Sequence, residues 1–546
     1  MIKNIPIVLI ILSIFQLAHS QDTVTVGLLL HEKGSYDEGY VLFSPMYNTG
    51  TYLIDKCGKL VHEWNSNYQP GMSPYLLPDG RLLRPAVIDH PVFTQVGKGG
   101  LLQILNWDGS VDWEFMVSGP DYMQHHDIKP LPNGNILIIA WEDVSANALD
   151  MGRNPQYFNG QLWSEKIMEI KPVGNNMGQV VWEWRAWDHL IQDYDSTKPN
   201  YGKVEEHPEL INLNYSAFMG LSDWLHFNSL DYNEHLNQIV VSSLQMNEIW
   251  IIDHSTTTDE AASHSGGIYG KGGDLLYRWG NPAAYKKGLP KDQKLFGQHD
   301  PRWIDKAPPW GDSILVFNNS NGPYNKKYSS IDILCPPVDE YGNYTSSLPY
   351  LPVKQAWRYI DSIPENFYSG SMSGAQMLPN GNIMACLSIA GDFVEIDTAK
   401  NKVWIYKNPV DDRGRIPQGT PPQLNSVFKC QFYPFTFSGF TGKTLPTGDP
   451  LELNPFPYKC ELFIDTVESI KIREKVSFLI KAGEHFIIDQ SLSDFTATIF
   501  DINGRIIKRT ENQYVIKSGD LKNGLYLLLI QLGDGRREVY KFCIQQ

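Results

Sequence analysis

Three short phrases carry the residues best suited to chemistry: His125-His126-Asp127, His226-Phe227-Asn228 and Gln298-His299-Asp300. A fourth, Ser373 to Gln376, lies at a corresponding place farther along the chain. Imidazole titrates near neutral pH, so histidines that meet can do one of three things. They can hold a metal ion, with Asp127 and Asp300 joining or orienting them. They can act as general acid and base. Or one can be a nucleophile while its neighbours bind the anionic group it attacks. A single histidine is commonly a satisfied structural residue. Three at equivalent places need a common cause, and a repeated fold supplies one.

The repeat is legible. A strand-like run, a turn and a second run ending in Trp or Tyr recur as TYLIDKCGKLVHEW (51–64), LLQILNWDGSVDWEF (101–115) and KIMEIKPVGNNMGQVVWEW (166–184). Looser copies are EIWIID…GGDLLYRWGNP (248–282), YSSIDILCPP…KQAWRY (328–359) and DFVEIDTAKNKVWIYKNP (392–409). Alternating apolar residues around a turn make each copy a hairpin. A hairpin cannot bury its face alone, whereas a ring of such sheets can. Between the copies lie five further segments of two short strands each, at 73–87, 125–142, 226–244, 298–319 and 373–387. These are the inner halves of blades, and the three histidine phrases open their innermost strands. The remaining blade combines 39–47 and 51–64 with a strand from SVFKCQFYPF (426–435), closing the ring between distant parts of the chain. The expected fold is all-β, a six-bladed β-propeller over 22–445. Helical periodicity is confined to short turns near 188–195.

After a Pro-rich stretch the texture changes. A linker is expected over 446–470 and a small antiparallel β-sandwich over 471–546, with turns at Asn503-Gly504, Asn523-Gly524 and Asp534-Gly535. At the other end, Lys3, the apolar run 5–17 and Ala18-His19-Ser20 read as an export signal over 1–20. No stretch is long enough to span a bilayer comfortably.

Across 546 residues the net charge of −15 argues against a nucleic-acid or anionic-membrane partner, although a local pocket can still take an anion. The six cysteines lack any C-x-x-C spacing, which disfavours a zinc ribbon or a thioredoxin-type site. Cys430 and Cys460 flank the exit from the propeller and could pair in an oxidising compartment; buried thiols are the alternative. GFTGKT (439–444) lacks the first glycine of a phosphate loop, since position 437 is Phe437, and GGIYGKGGD (266–274) is a loop between outer strands. His189, His207, His254 and His264 fall in loops and read as solvated.

The phrases GYVLFSPMYNTGTYLIDKCGKLVHEW, HHDIKPLPNGNIL, DWLHFNSLDYN, GQHDPRWID, SGAQMLPNGNIM and VFKCQFYPF, in this order, resemble the bacterial arylsulfotransferases, which need no nucleotide sulfate donor. The resemblance runs from about residue 39 to 445. It implies a six-bladed propeller and ping-pong transfer of a sulfuryl group from an aryl sulfate to a phenol. It implies His299 as the nucleophile, His226 and Asn228 as donors to sulfuryl oxygens, and His125 or His126 as a further donor or the acid for the departing phenolate. No cofactor and no metal is implied. Trp224, Phe227, Trp303 and Tyr368 could stack on an aryl ring or simply pack the core. The family usually carries an arginine after two serines that follow the His-x-Asn strand; here the phrase is Ser242-Ser243-Leu244-Gln245. Lys271, Arg278 or Arg302 could replace that charge.

The phrases IFDINGRIIKR, LKNGLYLLLI and VYKF near the C-terminus resemble the sorting domain of the type IX secretion system. That implies the secretion machinery as a partner and a secreted or surface location. Two other functions compete with sulfuryl transfer: a metal-dependent hydrolase or lyase on the same histidines, and a non-catalytic propeller that binds ligands at the cell surface.

Overall fold

The computed structural model describes residues 24–457 apart from 216–219, 305–309, 321–326 and 346, together with residues 460 and 521 and strands between 477 and 545. The export signal expected over 1–20 lies outside the described residues. The chain divides into two compact units, Met1–Phe463 and Ile464–Gln546.

The first unit is built from antiparallel sheets, and Thr258–Ala261 is the one α-helix among the described residues. Its sheets of four or five strands can be numbered in chain order. Sheet 1 joins Gln431–Pro434 to Gly39–Phe43, Gly50–Asp55 and Leu60–Asn65. Sheet 2 is Tyr75–Leu76, Leu82–Val87, Gly100–Leu105 and Val111–Met116. Sheet 3 is Tyr122–Pro130, Ile136–Asp143, Trp163–Val173 and Met177–Arg185. Sheet 4 is Phe227–Asn233, Gln238–Ser243, Glu248–Asp253 and Tyr277–Trp279. Sheet 5 is His299–Trp303, Ile314–Asn318, Ser330–Leu334 and Trp357–Tyr359. Sheet 6 is Gly374–Met377, Ile383–Leu387, Asp392–Ile396 and Lys402–Lys407, with Gly27–His31 added at its outer edge.

The repeated tryptophans have a shared job. In five of the six sheets the outer hairpin ends in an indole that packs toward the next sheet and donates its N–H to a backbone carbonyl there. Trp64 donates to Asn106 at 3.1 Å, Trp113 to Met177 at 2.7 Å and Trp184 to Gly273 at 2.7 Å. Trp279 donates to Pro352 at 2.8 Å, and Trp404 to Lys56 at 2.7 Å. The links run from sheet 1 through sheet 5, and from sheet 6 back to sheet 1. A buried indole pays for its desolvation with this bond, which explains why Trp is the residue repeated.

The innermost strands leave edge N–H groups that need partners. Acidic and hydroxyl side chains of the preceding sheet supply them. Asp127 accepts from Leu230 N at 3.2 Å, Ser229 from Asp300 N at 2.7 Å, Asp231 from Trp303 N at 2.8 Å and Asp300 from Ala375 N at 3.1 Å.

One expectation about the end of this unit needs revision: Cys430 does not pair with Cys460. Cys57, in the outer hairpin turn of sheet 1, is disulfide-bonded to Cys460, while Cys430 is a buried free thiol. The pairing follows from chain path: Leu60 N donates to Asp449 O at 3.0 Å and Leu451 N to Gly58 O at 3.1 Å. Residues from the expected linker therefore lie along the Cys57 turn and bring position 460 to it.

The second unit holds a five-stranded sheet ordered Ser477–Lys481, Arg537–Gln545, Gly524–Leu532, Phe495–Asp501 and Ile506–Glu511, and a pair His485–Ile487 with Val515–Lys517. No described helix in the chain is long and apolar enough to cross a membrane.

Candidate functional site

The three histidine phrases sit where innermost strands are interrupted. Ladder register shifts between Ile138 and Ile139 opposite residues 125–128, between Phe227 and Ser229, and between His299 and Arg302. At these bulges His126, His226 and Asp300 take positive φ values of 47°, 48° and 54°. Left-handed backbone in a non-glycine residue is unfavourable and is retained where the surroundings fix it, commonly at functional sites. On sheets 3 and 4 the distortion brings His126 and His226 together, while on sheet 5 the distorted residue, Asp300, faces Lys429 and Arg302.

His126 and His226 pack with ring centroids 4.8 Å apart. Phe428 lies 6.0 Å from the His126 ring and 6.5 Å from the His299 ring. Gly97 gives His126 its room, for at φ +101° its absent Cβ would lie 2.1 Å from the imidazole. Phe428 joins Met46, Met72 and Met372 in a small apolar cluster beside the imidazoles. His125, next in sequence to His126, lies behind it: its ring stacks on Trp141 at 4.1 Å and is fully buried.

The imidazoles have different electrostatics. His226 Nδ1 is 2.6 Å from Asp223 Oδ2. Burial disfavours its charge, but the Asp223 carboxylate outweighs burial and raises its pKa above the usual 6.5. His299 has no such anion. Burial pushes it down to about 4, against the opposing hydrogen bond it donates to Asn319. Its Nδ1 lies 2.9 Å from both Gly297 O and Asn319 Oδ1. Asn319 cannot present its nitrogen there, because that Nδ2 donates to Ser369 O and Met372 O, each at 2.8 Å. Two acceptors require the proton on Nδ1, which leaves a lone pair on Nε2. Met372 N–H donates to that Nε2 at 3.2 Å.

Behind His126 runs a chain of contacts. Its Nδ1 meets His125 Nδ1 at 2.7 Å, and His125 Nε2 meets Glu165 Oε2 at 2.8 Å. Burial holds Glu165 well above the usual carboxyl range and both histidines well below theirs. All three are thus neutral. A Glu165 O–H donating to His125, and His125 donating to His126, leaves His126 with an Nε2–H for the cluster.

Asn228 is fully buried where sheets 4 and 5 meet. Its Nδ2 donates to Gln298 O at 2.8 Å and its Oδ1 accepts from Ser229 Oγ at 2.8 Å, tying sheet 4 to sheet 5. Trp224 and Phe227 are fully buried in the core between sheets 3 and 4. Tyr368 is half-buried. Arg278 is spent on Glu248 and on the carbonyls of Pro208 and Leu210. Lys271 is exposed. His189 and His254 are not solvated: His189 is fully buried and paired with Asp274, and His254 bridges Asn237 and Glu169 at 2.9 Å each. His207 and His264 keep exposed side chains.

Farther along the innermost strands lies a polar plug that sequence reasoning missed. Lys429 Nζ is 2.7 Å from Asp127 and 2.9 Å from Asp300, and Arg302 Nε is 2.8 Å from the other Asp300 oxygen. Burial alone would raise the Asp300 pKa, but Arg302 and Lys429 outweigh it and hold it down. Asp300, Arg302 and Lys429 line a cavity of about 180 Å³ with Lys129 and Asp231. A larger cleft of about 1100 Å³ opens at the turn end of the inner hairpins, where Arg81, Lys129, Asn133, His235, Trp303 and Phe437 line it. None of the three clustered histidines borders it. The histidine cluster is the better candidate for chemistry, because titratable groups with opposed pKa shifts meet there. Lysine inside the apolar run Val427-Phe428-Lys429-Cys430 was the available signal for a buried charge.

The family described as Arylsulfotransferase (ASST) matches residues 94–412. A secretion system C-terminal sorting domain matches residues 482–545. No curated protein matches the chain. Among solved structures the chain is similar to a protein of unknown function from Bacteroides caccae, at 12% identity over 72% of this chain and 98% of that one, with a TM-score of 0.38. It is similar to virginiamycin B lyase from Staphylococcus aureus at 12% identity over 72% and 87%, TM-score 0.33. A Dos1 propeller matches at 7% identity over 70% and 75%, TM-score 0.29. At this distance the likenesses carry nothing about activity.

Proposed function

The chain belongs to the arylsulfotransferase family, and from that premise we propose that it moves a sulfuryl group from a phenolic sulfate ester to an acceptor phenol through a sulfohistidine at His299, without a nucleotide. We read the six sheets of the first unit as the blades of a six-bladed β-propeller and the tail as a small sorting sandwich. The sorting domain marks the protein for export to the surface or the medium.

The observation that supports this reading most is the His299 tautomer. With Nδ1–H held by Gly297 O and Asn319 Oδ1, the Nε2 lone pair is the reactive one, released for attack when its 3.2 Å bond from Met372 N–H gives way. In the first half-reaction Nε2 attacks sulfur, the bond from sulfur to the phenolic oxygen breaks, and the phenolate takes a proton from His226. His226 is suited to this because Asp223 keeps it protonated. In the second half the acceptor hydroxyl returns a proton to His226 as its oxygen attacks sulfur, and the bond from sulfur to Nε2 breaks. Nε2 keeps that electron pair. His126 donates its Nε2–H to a sulfuryl oxygen, with Glu165 and His125 fixing its tautomer. Phe428 and the three methionines offer the aryl ring an apolar wall.

The Leu244 position adjoins this machinery, since Leu244 N donates to His226 O at 3.1 Å. The protonated His226 supplies a positive charge where the family arginine is replaced. The replacement also favours a second reading, a propeller of altered specificity or one that binds ligand without turning it over.

An assay with a chromogenic aryl sulfate, with and without a phenol acceptor, separates these. Acceptor-dependent phenol release that vanishes in His299→Ala supports transfer. Release that needs no acceptor means hydrolysis, and silence with ligand binding retained supports the second reading.

A further inference from the structure

Away from the histidine cluster, the segment after sheet 3 and the Gly-rich loop before the last strand of sheet 4 meet at three ligating side chains. His189 Nδ1 and His264 Nδ1 each lie 2.8 Å from the same oxygen, Asp274 Oδ1. The ligating atoms of all three fall within 4.8 Å of one another. His189 is fully buried, Asp274 nearly so, and the His264 side chain is 63% exposed.

The His189 hydrogen bonds create the problem that a cation would solve. Its Nε2 is 2.8 Å from Ala261 O, an acceptor only, so Nε2 carries the proton. His189 Nδ1 then faces a carboxylate oxygen, and His264 brings a second ring nitrogen to that same oxygen. Lone pairs meeting at one point require protons or a metal between them. A ligating histidine characteristically donates its other N–H to a backbone carbonyl, as His189 does. The approach is built into the backbone: a Cβ on Gly273 would lie 1.9 Å from Ala261 O and 2.5 Å from His189 Nε2.

We propose that His189, His264 and Asp274 form a Zn²⁺ site of three protein ligands, with a fourth, solvent-facing position beside His264. Zinc bonds of about 2.0–2.1 Å place tetrahedral ligand atoms roughly 3.3 Å apart, so the side chains spread by about half an ångström to admit the ion. The metal would clip the Gly-rich loop to the segment following Trp184, whose indole already donates to Gly273 O at 2.7 Å. It would thereby staple sheets 3 and 4, the sheets that carry His126 and His226.

The test uses the full chain, purified without a histidine tag and stripped with a chelator. Zn²⁺ alone is titrated by calorimetry, Co²⁺ by its visible absorption, and melting is followed with and without zinc. The expected result is a single equivalent bound, a tetrahedral Co²⁺ spectrum and a higher Tm with zinc. In His264→Ala, whose side chain is exposed and whose loss spares the core, affinity falls at least about 10–100-fold and the zinc-dependent Tm rise disappears. His207→Ala, an exposed histidine paired with Glu209, binds like the parent. The proposal is overturned if the parent takes up no zinc, in which case protons bridge the trio. It is equally overturned if His264→Ala binds and melts like the parent, since the metal is then held elsewhere, the clustered histidines included.

Discussion

His226 Nδ1 lies 2.6 Å from Asp223 Oδ2, and this contact makes His226 the cation in a cluster whose other imidazoles are neutral. Four imidazoles are thereby sorted into a base, an acid and neutral donors by their neighbours alone.

The sorting fixes the pH profile. His299, held down to about 4, becomes nucleophilic as pH rises through that value. His226, raised above 6.5 by Asp223, stops donating as pH rises through its own higher pKa. Transfer should follow a bell, with an acid limb near pH 4 and an alkaline limb above 6.5. Asp223→Asn should move the alkaline limb to lower pH and leave the acid limb in place. Leu244→Arg in that background should recover part of the lost rate, since it returns a cation beside His226. A pH series of kcat/KM on the three proteins checks this, and an unmoved alkaline limb in Asp223→Asn would remove His226 from the acid role.

Asn319 acts through His299 rather than on substrate. Asn319→Ala should lower kcat by roughly 10–100-fold with KM little changed, because the lone pair is no longer confined to Nε2. Steady-state kinetics at the pH optimum, beside a melting curve to confirm folding, give the answer. A change in KM alone would mean that Asn319 shapes binding.

What the sequence made legible was whatever repeats. The six hairpins ending in Trp or Tyr announced the sheets, and Gly39–Phe43 with the strand at Gln431–Pro434 announced how distant segments share one sheet. The three histidine phrases stood out because they occupy one place in successive units. Residues used once left no such trace. Asp223, Asn319 and Phe428 reach the cluster from three separated segments, and no spacing rule links them to His299. Cys57 and Cys460 met only because residues 449–451 run along the Cys57 turn. The fifth strand, Gly27–His31, went unforeseen because nothing in its pattern names Lys402–Lys407 as its partner.

Lys429 holds two carboxylates together in a buried plug. Lys429→Met removes the cation and leaves Asp127 and Asp300 facing each other without it, although Arg302 still pairs with Asp300. The variant should lose about 3–5 kcal/mol of stability. The loss should shrink in the triple variant in which both aspartates become asparagine, and denaturant melts of the two proteins test it. Equal stability of Lys429→Met and the parent would mean that the plug is not closed in solution.

The most direct test of the account is covalent. Protein mixed with an aryl sulfate and no acceptor should release a stoichiometric burst of phenol and gain the mass of a single SO₃ group. Peptide mapping should place that group on His299, and adding a phenol should discharge it. Continuous turnover without acceptor, or a label on any residue other than His299, would contradict transfer through this imidazole.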